Sequence, residues 1–220
     1  MDDHPHILIT GGGRGIGLAL CQGALARGWR VSTTIRSGSV PDRMAAHFLD
    51  MRDLSGLPTL AQKLGPLDIL INNAGIIGPP DPAVAMADHA AFHGVMAVNA
   101  LAPLAIAQAL LPNLRANGGG RILSISSQMA AMGQAKSNSI VYRASKVALN
   151  KLMQGLATDL VVDGIAVALI NPGWVRTDMG GAGADLDAAE VARGILDIAA
   201  GLDMAQSGQF LRHDGTPFTW

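Results

Sequence analysis

The chain predicts an α/β fold: a doubly wound parallel sheet of about seven strands, helices on both faces, one domain over residues 1–220. Three observations predict it. Short apolar and β-branched runs alternate with longer amphipathic segments along the whole chain, the pattern of strands joined by crossover helices. The first strand runs directly into a glycine-rich turn and then a helix. The residues after each predicted strand are almost all glycine, polar or charged, as expected where a ligand binds beyond the carboxyl ends of an open sheet.

The elements follow in order. Ile7–Thr10 is a short buried strand. Gly11-Gly12-Gly13-Arg14-Gly15 forms a turn, and Ile16–Arg27 a helix that Gly28 stops. A strand, a glycine turn and a helix N-terminus together offer unpaired N–H groups and a positive dipole end to an anion. Gly15 and Gly17 let the backbone approach it closely. Arg30–Ile35 is a β-branched strand, and Ala46–Leu49 a third strand ending at Asp50. Leu54–Leu64 is a helix closed by Gly65-Pro66. Asp68–Asn72 is a strand leading into Asn72-Asn73-Ala74-Gly75. Asp88–Leu111 is a long helix, Arg121–Ser126 a strand, Val141–Val162 a second long helix and Ile165–Ile170 the next strand. Ala188–Ala200 is the last helix and Gly208–Leu211 the last strand. The amino half to about residue 120 is the expected cofactor side, and residues 121–220 the catalytic and substrate side. His4 and His6 fall in an expected frayed terminus.

Composition narrows the function. Apolar residues make up 49% and charged residues 15%, so cofactor, substrate or further subunits are expected to cover much of the surface. The net charge is −1, from 16 basic and 17 acidic residues, which gives nucleic acid or an anionic membrane no footprint. The single Cys21 lies on the apolar side of the first helix and fits a reducing, cytoplasmic setting. The acidic, histidine-containing start lacks the basic region of a secretory signal. Gly94–Leu114 runs 21 residues without a charge, but Asn99, Pro103, Gln108, Pro112 and Asn113 argue for a buried core or interface helix rather than a span. No metal is expected: His89 and His93, four apart, lack the glutamate of H-E-x-x-H.

Tyr142 is the sole tyrosine, and Lys146 follows one helical turn later on the same face. An ammonium beside a phenol favours the phenolate, so Lys146 is expected to lower the Tyr142 pKa. Such a tyrosine exchanges protons with a carbonyl or hydroxyl oxygen. Ser126 and Ser127 stand just past a strand at the same sheet edge.

These residues carry a resemblance. Thr10-Gly11-x-x-x-Gly15-x-Gly17, Asn72-Asn73-Ala74-Gly75, Tyr142-x-x-x-Lys146 and Asn171-Pro172-Gly173 resemble, in order, the signatures of the short-chain dehydrogenase/reductase family. Tyr142–Asn150 and the ending around Gly208-Gln209-Phe210, Asp214-Gly215 and Trp220 look like its C-factor/sniffer-like, carbonyl reductase branch. The resemblance implies a Rossmann-type fold and hydride transfer between a nicotinamide and a carbonyl–alcohol pair. Tyr142 would be the general acid in reduction, and Lys146 would tune it and bond the nicotinamide ribose. Ser127, favoured over Ser126 by the family's I-S-S pattern, would bond the substrate oxygen, and Asn99 would support a water relay to Lys146. Gly11, Gly13, Arg14, Gly15, Ile16 and Gly17 would bind the cofactor phosphates. Asp50 and Met51 would meet the adenine, and Asn73, Ala74 and Gly75 the adenosine ribose. Pro172, Gly173, Val175 and Thr177 would meet the nicotinamide.

The second strand ends Thr33-Thr34-Ile35-Arg36, without the acid that holds a 2′-hydroxyl. Arg14 and Arg36 suit a 2′-phosphate instead, so NADP(H) is expected over NAD(H). The region after Thr177, a substrate lid in the family, is Gly/Ala-rich and expected to be short and mobile. Met132, Met179, Met204 and Trp174 are candidates for an apolar substrate wall. The substrate expected is a small or medium carbonyl compound of low charge. A homodimer or homotetramer is expected through the helices around 88–111 and 141–162. The alternative is a dinucleotide-binding signalling or regulatory protein with little or no turnover.

Overall fold

A computed structural model describes residues 4–220. Seven parallel strands form one sheet: β1 (His6–Thr10), β2 (Arg30–Ile35), β3 (Met44–Phe48), β4 (Ile69–Asn72), β5 (Arg121–Ile125), β6 (Ala166–Asn171) and β7 (Phe210–Arg212). Their order is β3-β2-β1-β4-β5-β6-β7. Strand order therefore reverses between β1 and β4, which opens a crevice at their carboxyl ends. The helices are α1 (Gly15–Ala26), α2 (Leu57–Leu64), α3 (His89–Met96), α4 (Ala102–Ala109), α5 (Leu111–Arg115), α6 (Ile140–Asp159) and α7 (Ala188–Gly201).

Alternation along the strands builds two cores. Ile7, Ile9, Ile69, Ile71, Leu123 and Ile125 face α1 and α7, where Leu20, Cys21, Val191 and Ile195 meet them. Leu8, Leu70, Ile122 and Val167 face the other way, toward Leu60, Ile106, Leu149 and Met153 of α2, α4 and α6. Both faces are dry, as an all-parallel sheet requires.

Four expectations change. The helix expected over 88–111 is broken: α3 ends at Met96, a π turn spans Ala97–Leu101, and α4 and α5 follow. Pro103 and Pro112 stand in the first turns of α4 and α5, where a missing N–H does no harm. The 89–109 run is long and apolar enough to cross a membrane by length and composition, with 44% of its most apolar window buried in this fold. Strand β3 lies at 44–48, not 46–49, and β7 at 210–212. His6 is not frayed: it opens β1, is 5% exposed, and its ring contacts Pro66 O and Ser32 Oγ at 2.9 Å each. Its backbone N–H donates to Asp68 Oδ2 at 2.7 Å.

Beyond β7 the chain turns at Asp214-Gly215 and comes back along it. Arg212 N donates to Thr216 O and Phe218 N to Phe210 O, both at 2.7 Å. The rings of Phe218 and Trp220 pack on Phe210 at 5.1 and 5.5 Å.

Candidate active site

The crevice is a cavity of about 490 Å³ at the carboxyl edge of the sheet. Its floor is the turn between β1 and α1. Gly11 and Gly15 hold φ of +73° and +54°, the left-handed region that glycine takes without strain. Gly11 N and Gly12 N donate to Thr34 O at 3.0 and 3.2 Å, and Gly12 N also to Thr33 Oγ1 at 3.0 Å, so β2 fixes the start of the turn. The first helical bond is Leu18 N to Arg14 O at 3.1 Å. The N–H groups of Gly15, Ile16 and Gly17 precede it, in the first turn of α1, and are open to an anion.

A second loop is knitted to this floor. Asn73 N and Ala74 N both donate to Thr10 Oγ1 at 3.0 Å, and Asn73 Nδ2 to Thr10 O at 2.9 Å. A Cβ on Gly17 would lie 2.2 Å from Gly11 O and 2.5 Å from Asn73 Nδ2. Only a glycine lets the helix start this close to both loops. Gly13, Ile16, Ala74, Gly75 and Met51 also line the cavity, with Arg14, Arg36 and Asp50 at its rim beside β2 and β3.

The catalytic end is formed by β5, α6 and the loop after β6. Ser126 and Ser127 both line the cavity; the Ser127 hydroxyl accepts from Met129 N at 3.1 Å and lies close enough to the Tyr142 phenol to act on its pKa. Ser126 is 1% exposed and donates to Asn150 Oδ1 at 2.6 Å, a bond that ties β5 to α6. Lys146 lies one turn beyond Tyr142 and is 4% exposed, with its Nζ donating to Ile125 O at 2.7 Å. Nζ stands 5.7 Å from the centre of the Tyr142 ring.

The expected electrostatics are not those of the protein alone. Burial pushes the Tyr142 phenol up to about 12, against the lowering effect of the Ser127 hydroxyl. Burial likewise pushes Lys146 down to about 8. Desolvation penalises the charged form of each group. Near neutral pH the phenol therefore keeps its proton.

Asn99 stands behind the cavity wall rather than in it. It sits in the π turn, fully buried. Its Oδ1 accepts from Ile76 N at 2.9 Å, and its Nδ2 donates to Ile76 O at 2.8 Å and Ser145 Oγ at 3.0 Å. A Cβ on Gly75 would lie 3.3 Å from Asn99 Oδ1 and 3.7 Å from Lys146 Nζ, so the missing side chain keeps that corner clear.

Pro172, Gly173, Val175 and Thr177 line the remaining side. The segment after them is tied down, contrary to the expected mobile lid. Gly180 N donates to Thr177 Oγ1 at 3.1 Å, Gly181 N to Thr177 O at 2.8 Å, and Trp174 Nε1 to Gly180 O at 2.8 Å. Ile77, Met129, Trp174 and Met179 make an apolar wall. Met132 and Met204 lie outside it, 74% and 38% exposed.

Sequence reasoning gave no role to three polar residues. Arg52 lines the rim beside Asp50; a third cation just past a strand end was its signal. Asn171 Oδ1 accepts from Gln128 N and Gly173 N, both at 3.0 Å, and so joins the loops after β5 and β6. Asp178 reaches across the crevice to Arg14 at 2.9 Å; nothing in the sequence pattern marks that pair.

The glycine floor, its first-turn N–H groups and the clear corner beside Lys146 fit an extended phosphate-containing dinucleotide. Comparison with known proteins agrees on kind. The family model described as short chain dehydrogenase matches residues 5–185. The C-signal of Myxococcus xanthus is 39% identical over 157 residues, 71% of this chain and 94% of that protein. The carbonyl reductase Sniffer of D. melanogaster superposes with a TM-score of 0.92 at 29% identity, covering 99% of this chain and 100% of that one. An NADPH-bound carbonyl reductase from chicken fatty liver gives 0.87 at 27% identity, covering 99% of each chain. A putative enzyme from Burkholderia multivorans with bound NADP gives 0.87 at 31%, covering 99% and 100%. The strand order, the ordered motifs around the crevice and these likenesses together place the chain in the short-chain dehydrogenase/reductase family of oxidoreductases, in its carbonyl reductase, sniffer-like branch.

Proposed function

We propose that the protein is an NADPH-dependent reductase of a small or medium carbonyl compound of low charge. One observation carries this reading: a protonated Tyr142, beside the Ser127 hydroxyl and one helical turn from Lys146, at one end of a crevice whose other end is the glycine floor. The nicotinamide, when bound, supplies the hydride to the carbonyl carbon. Ser127 and Tyr142 would hold the carbonyl oxygen between two hydroxyls, and Tyr142 would give it the proton that completes the alcohol. Lys146 would steady the resulting phenolate by its positive charge and hold the ribose beside it. Asn99 keeps Ile76 and Gly75 in place next to Lys146, the position from which it would support a water relay. Val175 and Thr177 would orient the nicotinamide amide. The apolar wall of Ile77, Met129, Trp174 and Met179 favours an uncharged substrate.

The choice of NADPH rests on Arg14, Arg36 and Arg52 at the rim where the adenosine would lie, and is supported by the NADP(H)-bound relatives. A charge-assisted bond from one guanidinium is worth about 1.5–3 kcal/mol, tenfold or more in affinity. Calorimetric titration with NADPH and NADH tests it: NADPH should bind at least tenfold tighter, and equal binding would overturn it. The C-signal likeness favours a second reading, a dinucleotide-binding regulator. Tight NADPH binding without turnover over a broad carbonyl panel would select that reading.

Three further features belong to the proposal. The protein works without nucleic acid or membrane, in keeping with its balanced charge. It works in the reducing cytoplasm, where the buried Cys21 thiol, raised by burial to about 11, stays inert. It assembles as a homodimer or homotetramer through the 88–111 and 141–162 helices, which leave Leu101, Val161 and Val162 exposed. A monomer in light scattering at micromolar concentration would refute the assembly.

A further inference from the structure

The loop after β6 and the glycine turn are joined by one ion pair that neither loop needs for its own shape. Arg14 Nη1 donates to Asp178 Oδ2 at 2.9 Å, residues 164 positions apart in the chain. Both side chains are largely open to solvent, 70% and 74% exposed, and both line the crevice. The Asp178 loop is held independently by Thr177, Trp174 and Gly180. The Arg14 loop is held by β2 and by Asn73. The carboxylate therefore does one thing: it partners the guanidinium that the proposed function assigns to the cofactor's phosphate.

We propose that Asp178 is a specificity-determining counter-ion. Its carboxylate occupies Arg14 and must yield that guanidinium to the 2′-phosphate of the dinucleotide, so it sets how strongly the site prefers a phosphorylated cofactor. The inference rests on the reading of Arg14 as a 2′-phosphate ligand. Exposed ion pairs are weak and exchange partners readily, which makes the pair displaceable. Drawing the guanidinium onto a phosphate costs it part of its attraction to this carboxylate. Removing that charge should therefore strengthen binding of the phosphate selectively. Among the described residues, Arg36 and Arg52, the other cations on this rim, form no ion pair, so the brake acts through Arg14.

The test compares Asp178→Asn, Arg14→Gln and the double variant by calorimetry with NADPH and with NADH. Asp178→Asn keeps the size of the side chain and removes only its charge. It should tighten NADPH by about threefold to tenfold, the size of one unit-charge interaction across water at this range, and leave NADH within about twofold. In the Arg14→Gln background the same change should lose most of that gain. An Asp178→Asn protein with unchanged NADPH affinity, or with equal changes for the two cofactors, would overturn the role of Asp178 while leaving Arg14 intact. An Arg14→Gln protein that binds NADPH like the parent would overturn the underlying reading of Arg14, whatever Asp178 does. Melting temperatures of all three should stay close to the parent, since the pair is exposed.

Discussion

The floor and the wall of the crevice are built on opposite principles. The floor is backbone: Gly11 and Gly15 at positive φ, the N–H groups of Gly11 and Gly12 held by Thr33 and Thr34, Asn73 tied to Thr10, and no room for a Cβ at Gly17. The wall is side chain: Ile77, Met129, Trp174 and Met179, of which Ile77, Trp174 and Met179 are 41–49% exposed. A shape made by backbone tolerates one kind of ligand. A surface made by loosely covered apolar side chains adapts to many. The contrast teaches that the glycine floor is shaped far more narrowly than the apolar wall.

The comparison can be broken first at the seam between the two. Tyr142→Phe removes the hydroxyl that the proposed reaction uses as proton donor while leaving the ring in place. Turnover should fall by about 10²–10⁴-fold with NADPH affinity unchanged, read by steady-state kinetics and calorimetry on the same preparation.

Lys146 belongs to the same seam and tests its electrostatics. Its pKa in the fold is about 8, against an ordinary 10.5. The unfolded chain thus holds that proton through a range in which the fold has released it. The destabilisation is present in full below pH 8 and is relieved as pH rises toward 10.5, by about 1.4 kcal/mol per pH unit. Two groups work the opposite way: Cys21, raised from 9.0 to about 11, above pH 9, and Tyr142, raised from 10.0 to about 12, above pH 10. Denaturant melts of the protein without cofactor between pH 8 and 9 should show this rise, and Lys146→Met should abolish it.

The floor is sharpened by Gly17→Ala. The added methyl would meet Gly11 O at 2.2 Å, a backbone atom that cannot turn aside. The strain is of order 1–3 kcal/mol, and should appear as a loss of roughly tenfold or more in NADPH affinity with a lowered melting point. The wall should respond least. Met129→Ala or Trp174→Ala should change kcat/KM for a small aldehyde by less than about threefold, since a small substrate fills little of that surface. A hundredfold loss would mean that the wall is as selective as the floor.

The same contrast decides what the sequence discloses. The floor is legible because its geometry demands particular residues: glycine where φ is positive, and small polar residues where a strand ends. Ser127, Tyr142, Lys146, Val175 and Thr177, all lining the crevice, are legible through motif spacing. The π turn at Ala97–Leu101 is not, because an apolar run with one inward asparagine reads the same with or without an extra residue in the turn. The segment after Thr177 reads as slack because glycine and alanine carry no signal, while its start is held by side chain-to-backbone bonds of Thr177 and Trp174 to Gly180. Pairs such as Arg14 with Asp178, far apart in sequence, are set only by the finished fold. The raised phenol pKa depends on burial, which spacing does not report.

The return of residues 216–218 along β7 has a consequence for the molecule in a crowded solution. An open parallel sheet ends in unpaired N–H and C=O groups, a template on which another chain can grow a strand. Here Phe218 and Thr216 spend Phe210 O and Arg212 N internally, and the rings of Phe218 and Trp220 roof the edge. The last turn of the chain thus acts as a solubility guard. Cutting it away would leave the chemistry of the crevice intact and turn β7 into a nucleus for aggregation.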